Sequence, residues 1–173
     1  MLKRYKGPRG MVVCLEHVSK ALKGNRLKDP HERTLAVYLP HGYDDRRKAR
    51  YPVLVDLVGF TGSGMSHIAW KPFDENVPER ADRLIHEKKV PPCVIVFPDC
   101  FTSLGGNQYI NSTAIGNYED YLLDEIVPLV DKTFRTLPSR DHRGVFGKSS
   151  GGYGAIIHGM KHPDVWGAIA CHS

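Results

Sequence analysis

The sequence has few features that would direct it to an oxidising compartment or into a membrane. Its four cysteines are Cys14, Cys93, Cys100 and Cys171, and no two of them have Cys-x-x-Cys spacing. No stretch approaches the roughly 20 apolar residues that a membrane span needs, and the basic N-terminus leads into no signal-peptide core. These absences favour a reducing compartment, so we expect a cytoplasmic protein with no membrane partner.

The sequence also lacks the signatures of metal and nucleic-acid binding. Its nine histidines show no metal-ligand spacing, so we predict neither a metal nor another cofactor. The net charge is +5, and the one basic cluster comprises Arg46, Arg47, Lys48 and Arg50. Because a short basic run is weak evidence, we interpret the cluster as a solvated loop and expect no nucleic-acid partner.

The length and the pattern of apolar residues predict one α/β domain over residues 1–173. The strands are predicted at 11–18, 33–39, 53–58, 93–97, 143–146 and 165–171, and the helices at 77–89, 118–134 and 150–161. The later half alternates strand and helix, which favours a mostly parallel sheet with helices on both faces. The first two strands are predicted to form an antiparallel edge. Pro128 predicts a kink in its helix.

A Gly-x-Ser-x-Gly pattern spans residues 147–151, between a predicted strand and a predicted helix. This position favours a nucleophile elbow, because a serine on a tight turn there holds its hydroxyl clear of the backbone. Gly147 and Gly151 would allow the strand and the helix to approach closely. The first N–H groups of the helix would be free to hold an oxyanion beside Ser149.

Two other interpretations of this segment are weaker. Gly147-Lys148-Ser149 matches the end of a phosphate-binding loop, but that motif needs a glycine at position 142, where this chain has His142. The residues between are strand-like, which disfavours nucleotide binding. The remaining alternative is a glycine-rich helix entry without chemistry.

Four segments of the chain occur in the order that a known family shares. They are 37–44 (Val-Tyr-Leu-Pro-His-Gly-Tyr-Asp), 51–60 (Tyr-Pro-Val-Leu-Val-Asp-Leu-Val-Gly-Phe), the proline-bearing helix at 119–128, and 147–155. Together they resemble the putative esterase family of the α/β-hydrolase superfamily, which includes S-formylglutathione hydrolases, enterochelin esterases, feruloyl esterases and mycolyltransferases.

The resemblance implies roles for three residues. Ser149 would be the catalytic nucleophile, and the backbone N–H groups of Phe60 and Ser150 would form the oxyanion hole. One departure is Val58-Gly59, where many relatives have His-Gly. Because the donor at Phe60 is a backbone group, we expect the function to survive this change.

The general base and its acid partner are not evident in this sequence. In the superfamily they follow the nucleophile, and after Ser149 the chain offers Asp164, His158, His162 and His172. Most of these fall far down the next helix or at the wrong end of the sheet. For His172, which ends the last predicted strand, we expect a role in the pocket. We therefore expect the acid and base to lie beyond Ser173 and the C-terminal strands of the sheet to be missing.

These observations favour a serine carboxylic-ester hydrolase that acts on a small-molecule ester or thioester through an acyl-serine intermediate. An acyltransferase of the same fold and a catalytically inactive binding or assembly domain stay open as alternatives, as does a homo-oligomer. The polar segment 100–116 is predicted to line the pocket, in particular through Asn107, Gln108 and Tyr109, together with Phe60 and Tyr153. Asp56 lies inside an apolar strand, and we interpret it as a carboxylate satisfied by a polar neighbour.

Overall fold

The computed structural model describes residues 5–44 and 48–173. The strands are β1 (Met11–Val18), β2 (Glu32–Leu39), β3 (Val53–Leu57), β4 (Val94–Phe97), β5 (Asn111–Ser112), β6 (Gly116–Asn117), β7 (Arg143–Lys148) and β8 (Ala168–His172). The helices are α1 (Gly64–Ile68), α2 (Val77–His86), α3 (Tyr118–Asp120), α4 (Val127–Thr133) and α5 (Ser150–Lys161), with a π-helical segment at Tyr121–Ile126 and a 3-10 turn at Arg140–His142. Of the basic cluster noted above, Arg46 and Arg47 lie outside the described residues.

Six strands form one sheet in the order β1-β2-β4-β3-β7-β8. The pairs β1–β2 and β2–β4 are antiparallel, whereas β3–β4, β3–β7 and β7–β8 are parallel. The prediction of a mostly parallel sheet with an antiparallel N-terminal edge is therefore confirmed. Because β3, β4, β7 and β8 run in the same direction, their carboxyl ends meet at one edge of the sheet, where ligands bind in such folds.

Helices cover both faces of the sheet, as the alternation of side chains along β3 requires. Val53, Val55 and Leu57 belong to the larger core, which also takes in side chains of α4 and α5. Leu54 packs instead against the smaller core, where α1 and α2 contribute Ile68 and Ala81. Burial of these two apolar layers fixes the position of each helix on the sheet.

Pro128 disturbs its helix on the N-terminal side. Proline has no N–H to donate to the carbonyl four residues earlier, so the regular hydrogen-bond pattern cannot continue through it. The N–H of Val127 accordingly donates to the carbonyl of Leu122, five residues back, and Tyr121–Ile126 is π-helical. The predicted kink thus takes the form of a wider turn just before the proline.

The observed elements differ from the predicted ones at several places. The last strand begins at Ala168, because Val165 and Trp166 lie in a turn whose N–H groups both donate to the His162 carbonyl. The apolar character of this turn comes from Trp166, which is buried in the larger core. The helix α1 and the two-residue strands β5 and β6 were not predicted, because such short elements carry too little periodicity.

None of the helices found in the described part of the chain has the length and apolar character needed to cross a membrane.

Candidate active site

Ser149 is the single residue between β7, which ends at Lys148, and α5, which begins at Ser150. Its backbone has φ 57° and ψ −121°, a conformation that residues with a Cβ rarely adopt. Its N–H donates to the carbonyl of His172 at 2.8 Å, and its carbonyl accepts the N–H of Tyr153 at 2.9 Å. These bonds hold the strained backbone in place, and the residue is exposed to solvent.

Two glycines make this sharp corner possible. A Cβ on Gly151 would overlap the carbonyl group of Leu57 in β3, and a Cβ on Gly147 would collide with the backbone of Gly151. The start of α5 therefore lies directly against two strands, closer than any side chain allows. As expected from the sequence, Gly147 and Gly151 allow the strand and the helix to approach closely.

The loop that follows β3 passes next to Ser149. A Cβ on Gly59 would lie 3.7 Å from the Cβ of Ser149, and Phe60 is the next residue. Among the residues that the structure describes, the Phe60 N–H has no hydrogen-bond acceptor. Ser150 is the first residue of α5, where a backbone N–H has no acceptor within the helix. Unpaired N–H groups thus flank Ser149 on two chain segments.

The segment 100–110 packs against this loop. A Cβ on Gly106 would overlap the Phe60 carbonyl, and a Cβ on Gly105 would lie 2.9 Å from the Phe60 ring. Gln108 donates from Nε2 to the Ser150 hydroxyl at 3.3 Å. Of the residues predicted to line the pocket, Gln108 therefore reaches the Ser149 corner, and Phe60 and Tyr153 are each 44% exposed.

Asn107 and Tyr109 behave differently from the prediction, because both are buried. The Asn107 amide donates to the Cys100 carbonyl at 2.5 Å and accepts the Tyr109 N–H at 2.5 Å. Tyr109 has φ 60° and donates its hydroxyl hydrogen to the Val58 carbonyl at 2.5 Å. These two side chains hold the loop from inside. No sequence pattern indicated that a polar loop would be anchored by buried side chains.

In the part of the chain that the structure describes, no base contacts Ser149. Three histidines pair with carboxylates, as His17–Glu125, His67–Asp56 and His162–Glu119. None of them bonds to Ser149, whose hydroxyl has no hydrogen-bond partner in residues 5–44 and 48–173. His172 contacts Ser149 through its backbone carbonyl, which accepts the Ser149 N–H. The interpretation of Asp56 as a carboxylate with a polar neighbour agrees with its 2.7 Å contact to His67.

His158 lies on α5 inside the fold, next to Trp166. It is 1% exposed, and its Nε2–H donates to the Tyr109 carbonyl at 2.7 Å. Burial lowers the pKa of His158, so the ring is neutral at neutral pH.

The described residues contain no group of three or more His, Cys, Asp or Glu side chains arranged to hold a metal ion.

The sheet order and the helices on both faces define an α/β-hydrolase-type fold. The family model described as "Putative esterase" matches residues 26–173, and the chain belongs to this family. The endo-1,4-beta-xylanase/feruloyl esterase of Xylanibacter ruminicola is 29% identical over 138 residues, covering 78% of this chain and 18% of the relative.

Solved structures share the fold of this chain. A ferulic acid esterase superposes with a TM-score of 0.75 at 26% identity and covers 94% of this chain and 58% of its own. An S-formylglutathione hydrolase from Agrobacterium tumefaciens, at 22% identity, shares the fold with a TM-score of 0.69, over 98% of this chain and 60% of its own. The chain therefore spans less than two thirds of the length of these relatives.

Proposed function

We propose that this chain carries the nucleophile and the oxyanion hole of a serine carboxylic-ester hydrolase. Ser149 is the nucleophile, and the turn at 147–151 is its nucleophile elbow. The backbone N–H groups of Phe60 and Ser150 are the oxyanion donors. The substrate is a small-molecule ester, which agrees with the names of the relatives: a feruloyl esterase and a ferulic acid esterase.

The observation that carries this proposal is the backbone of Ser149, with φ 57° and ψ −121° between a buried strand and a helix. Strain of this kind costs about 1–3 kcal/mol and persists where the surrounding structure enforces it, often at active sites. Here Gly147 and Gly151 make the corner sterically possible, and the backbone hydrogen bonds of Ser149 to His172 and Tyr153 hold it. The effect is to raise the hydroxyl above the backbone, next to the first turn of α5.

The reaction proceeds in two halves on this geometry. The Ser149 Oγ attacks the ester carbonyl carbon while a base takes its proton, and the carbonyl electron pair moves onto the oxygen. The N–H groups of Phe60 and Ser150 stabilise that oxyanion, an effect worth about 2.7–4 kcal/mol for one donor. Collapse expels the alcohol, which receives the proton. Water then attacks the acyl-serine in the same way and releases the carboxylic acid.

The surroundings of Ser149 fit an organic acyl group. Phe60 and Tyr153 are exposed aromatic side chains on the two segments that flank Ser149. Gly105, with φ 107°, packs against the ring of Phe60 and shapes the adjacent loop. An aromatic or other apolar acyl group could pack against these rings while its carbonyl lies at the serine.

The experiment is active-site labelling of the full-length gene product, because a serine hydroxyl needs a base to react. The protein is incubated with a fluorophosphonate probe, and the labelled peptide is mapped by mass spectrometry. We expect the label on Ser149. Hydrolysis of p-nitrophenyl acetate and of methyl ferulate is measured in parallel for the wild type and for Ser149→Ala, which we expect to lose about a thousandfold or more in kcat.

The control is Ser139→Ala. Ser139 is exposed and stands before the 3-10 turn without any side-chain capping bond, so its removal leaves labelling and hydrolysis unchanged. Unlabelled Ser149 together with undiminished hydrolysis in Ser149→Ala would contradict the proposal. No label and no hydrolysis in the wild type would instead favour an inactive binding domain.

We also propose a cytoplasmic location. All four cysteines are free, and Cys93 and Cys100 are buried. Burial raises the pKa of Cys93 to about 11, which keeps its thiol protonated and unreactive. The test is cell fractionation in the presence of a thiol-alkylating reagent. Recovery of the protein in an extracytoplasmic fraction would contradict the cytoplasmic location.

A further inference from the structure

Tyr109 links the segment 100–110 to the loop that carries Phe60. Its side chain is 2% exposed, and its hydroxyl donates to the carbonyl of Val58 at 2.5 Å. Val58 directly precedes Gly59 and Phe60, so this bond fixes the peptide from which the Phe60 loop departs. A buried hydroxyl of this kind is costly to leave unpaired, which makes the bond selective for one loop position.

Tyr109 is also fixed to α5. A Cβ on Gly154 would lie 2.7 Å from Cδ2 of the Tyr109 ring, so the ring occupies space that only a glycine leaves open. The Tyr109 carbonyl accepts the Nε2–H of His158, another residue of α5, at 2.7 Å. One residue therefore contacts the helix that follows Ser149 by its ring and its backbone, and the Phe60 loop by its hydroxyl.

The backbone of Tyr109 is strained in this arrangement. Its φ is 60°, a left-handed value that is uncommon for aromatic residues. The neighbouring Gln108 donates to the Ser150 hydroxyl at 3.3 Å. Two successive residues of one loop thus reach the two segments on which the proposed oxyanion donors lie.

The hydroxyl of Tyr109 is protonated and acts as a hydrogen-bond donor. Burial raises the pKa of Tyr109, and the nearby Cys100 and Asp56 act in the same direction. The phenol is therefore protonated at neutral pH and can donate to the Val58 carbonyl.

We infer that Tyr109 is a positioning residue that fixes the Phe60 N–H relative to Ser149 and the Ser150 N–H. The inference rests on the proposed function, because it gives a role in transition-state stabilisation to a residue outside the oxyanion hole. A donor must lie within hydrogen-bond distance of the developing oxyanion, and a displacement of about 1 Å in such a site can cost about 100-fold in rate.

The experiment compares Tyr109→Phe with Tyr121→Phe in the full-length protein. Tyr121 is 0% exposed, and its buried hydroxyl has no hydrogen-bond partner in the described residues, so its removal breaks no bond. With p-nitrophenyl acetate we expect Tyr109→Phe to lower kcat about 10- to 100-fold with KM changed less than about threefold. Tyr121→Phe is expected to keep both constants.

A second readout separates positioning from a purely structural role. A trifluoromethyl ketone forms a tetrahedral adduct with the serine and places an oxyanion in the hole, whereas a product carboxylic acid does not. We expect Tyr109→Phe to weaken inhibition by the ketone about 10- to 100-fold and to leave inhibition by the acid unchanged. A role limited to folding would lower the melting temperature and leave the ratio of the two inhibition constants as in the wild type.

The outcomes are distinct. Wild-type kcat and ketone inhibition in Tyr109→Phe overturn the inference while Ser149→Ala still tests the proposed function by itself. If Tyr109→Phe does not fold, Gly154→Ala decides, because its new methyl group displaces the Tyr109 ring, and the hydroxyl with it, without removing the hydroxyl group. A lowered kcat with unchanged KM in Gly154→Ala supports the inference, and an unchanged kcat overturns it.

Discussion

The carboxylate of Asp56 lies 2.7 Å from Nδ1 of His67, and the two residues stand at either end of the loop that carries Phe60. Asp56 is 1% exposed and lies in β3, whereas His67 lies in α1. The second carboxylate oxygen, Oδ1, is buried and has no partner among the described residues. The contact therefore links β3 to α1 across the loop. Only one of the two buried carboxylate oxygens takes part in it.

Asp56→Asn is expected to change how stability depends on pH. Burial raises the pKa of Asp56 above its ordinary value of 3.8, although His67 and Lys71 oppose this. A carboxyl whose pKa is raised by folding stabilises the fold at acidic pH, and this contribution is lost as the pH rises through the folded-state pKa. The asparagine is neutral throughout. The free energy of unfolding of the wild type, relative to Asp56→Asn, should therefore fall from acidic to neutral pH.

The measurement is urea unfolding of both proteins at a series of pH values from about 4 to about 8. Asn retains the size of Asp and can still bond to His67, so the comparison isolates the charge. A difference between the two proteins that stays constant, or that grows in favour of the wild type with rising pH, would show that the contact with His67 outweighs burial.

Glu125→Gln tests a carboxylate with the opposite shift. One oxygen of Glu125 accepts the backbone N–H groups of Lys20 and Ala21, each at 2.8 Å, and the other contacts His17 at 2.9 Å. Burial would raise the pKa of Glu125, but hydrogen bonds from Ser19, His17 and these N–H groups outweigh it and lower the pKa.

A carboxylate whose pKa is lowered by folding stabilises the fold at pH values above its ordinary pKa, here 4.5. This stabilisation is lost as the pH falls through the folded-state pKa. Glu125→Gln should therefore cost about 1–2 kcal/mol in the free energy of unfolding at neutral pH, and less at acidic pH. Urea unfolding measures it, with Glu32→Gln as the control, because Glu32 is exposed on β2. Equal losses at both pH values would mean that the charge of Glu125 is not what matters.

Much of the fold could be predicted because it depends on local patterns. The strand at β7, the helix α5 and the glycines between them are all encoded within residues 143–161. The glycines of the Ser149 corner could be recognised from this segment, although the groups that they make room for include the Leu57 carbonyl of β3, which lies far away in sequence. The antiparallel edge could likewise be predicted from two apolar strands in succession.

The remainder depends on contacts between residues distant in sequence. Tyr109 and Val58 are 51 positions apart, and Asp56 meets His67 only because α1 folds back over β3. A polar loop gave reason to expect exposed side chains, yet Asn107 and Tyr109 are buried because their polar atoms are satisfied by backbone groups of the same loop and of Val58, just after β3. Sequence patterns carry no record of such pairings.

Gly151→Ala is expected to be severely destabilising. The added Cβ would overlap the Leu57 carbonyl, and neither the strand nor the helix can move without disrupting the sheet. We expect a loss of about 3 kcal/mol in the free energy of unfolding. Gly59→Ala is the matched control for stability, because its Cβ would lie at ordinary van der Waals distances, 3.6 Å from the Lys148 carbonyl oxygen and 3.7 Å from the Ser149 Cβ.

Urea denaturation followed by circular dichroism compares the two variants. Both replacements remove the same conformational freedom from the unfolded chain, worth about 0.4–1 kcal/mol, so that effect cancels between them. Similar stability for Gly151→Ala and Gly59→Ala would mean that α5 does not approach β3 as closely as the structure has it.

Replacement of Ser149 by glycine and by alanine measures the strain at the corner directly. Both variants lack the hydroxyl, but only alanine keeps a Cβ at φ 57°. Relief of strain favours glycine by about 1–3 kcal/mol, and the greater freedom of glycine in the unfolded chain opposes this by about 0.5–1 kcal/mol. Ser149→Gly should therefore be more stable than Ser149→Ala by about 1 kcal/mol.

The neighbouring position supplies the control, because the sign should reverse there. Ser150 is the first residue of α5 and has no positive φ, so alanine is preferred over glycine by about 0.5–1 kcal/mol. The two pairs of variants, compared by urea unfolding, separate backbone strain from the general effect of glycine. If alanine is the more stable replacement at both positions, Ser149 carries no strain, and the argument that its backbone conformation is held for catalysis loses its support.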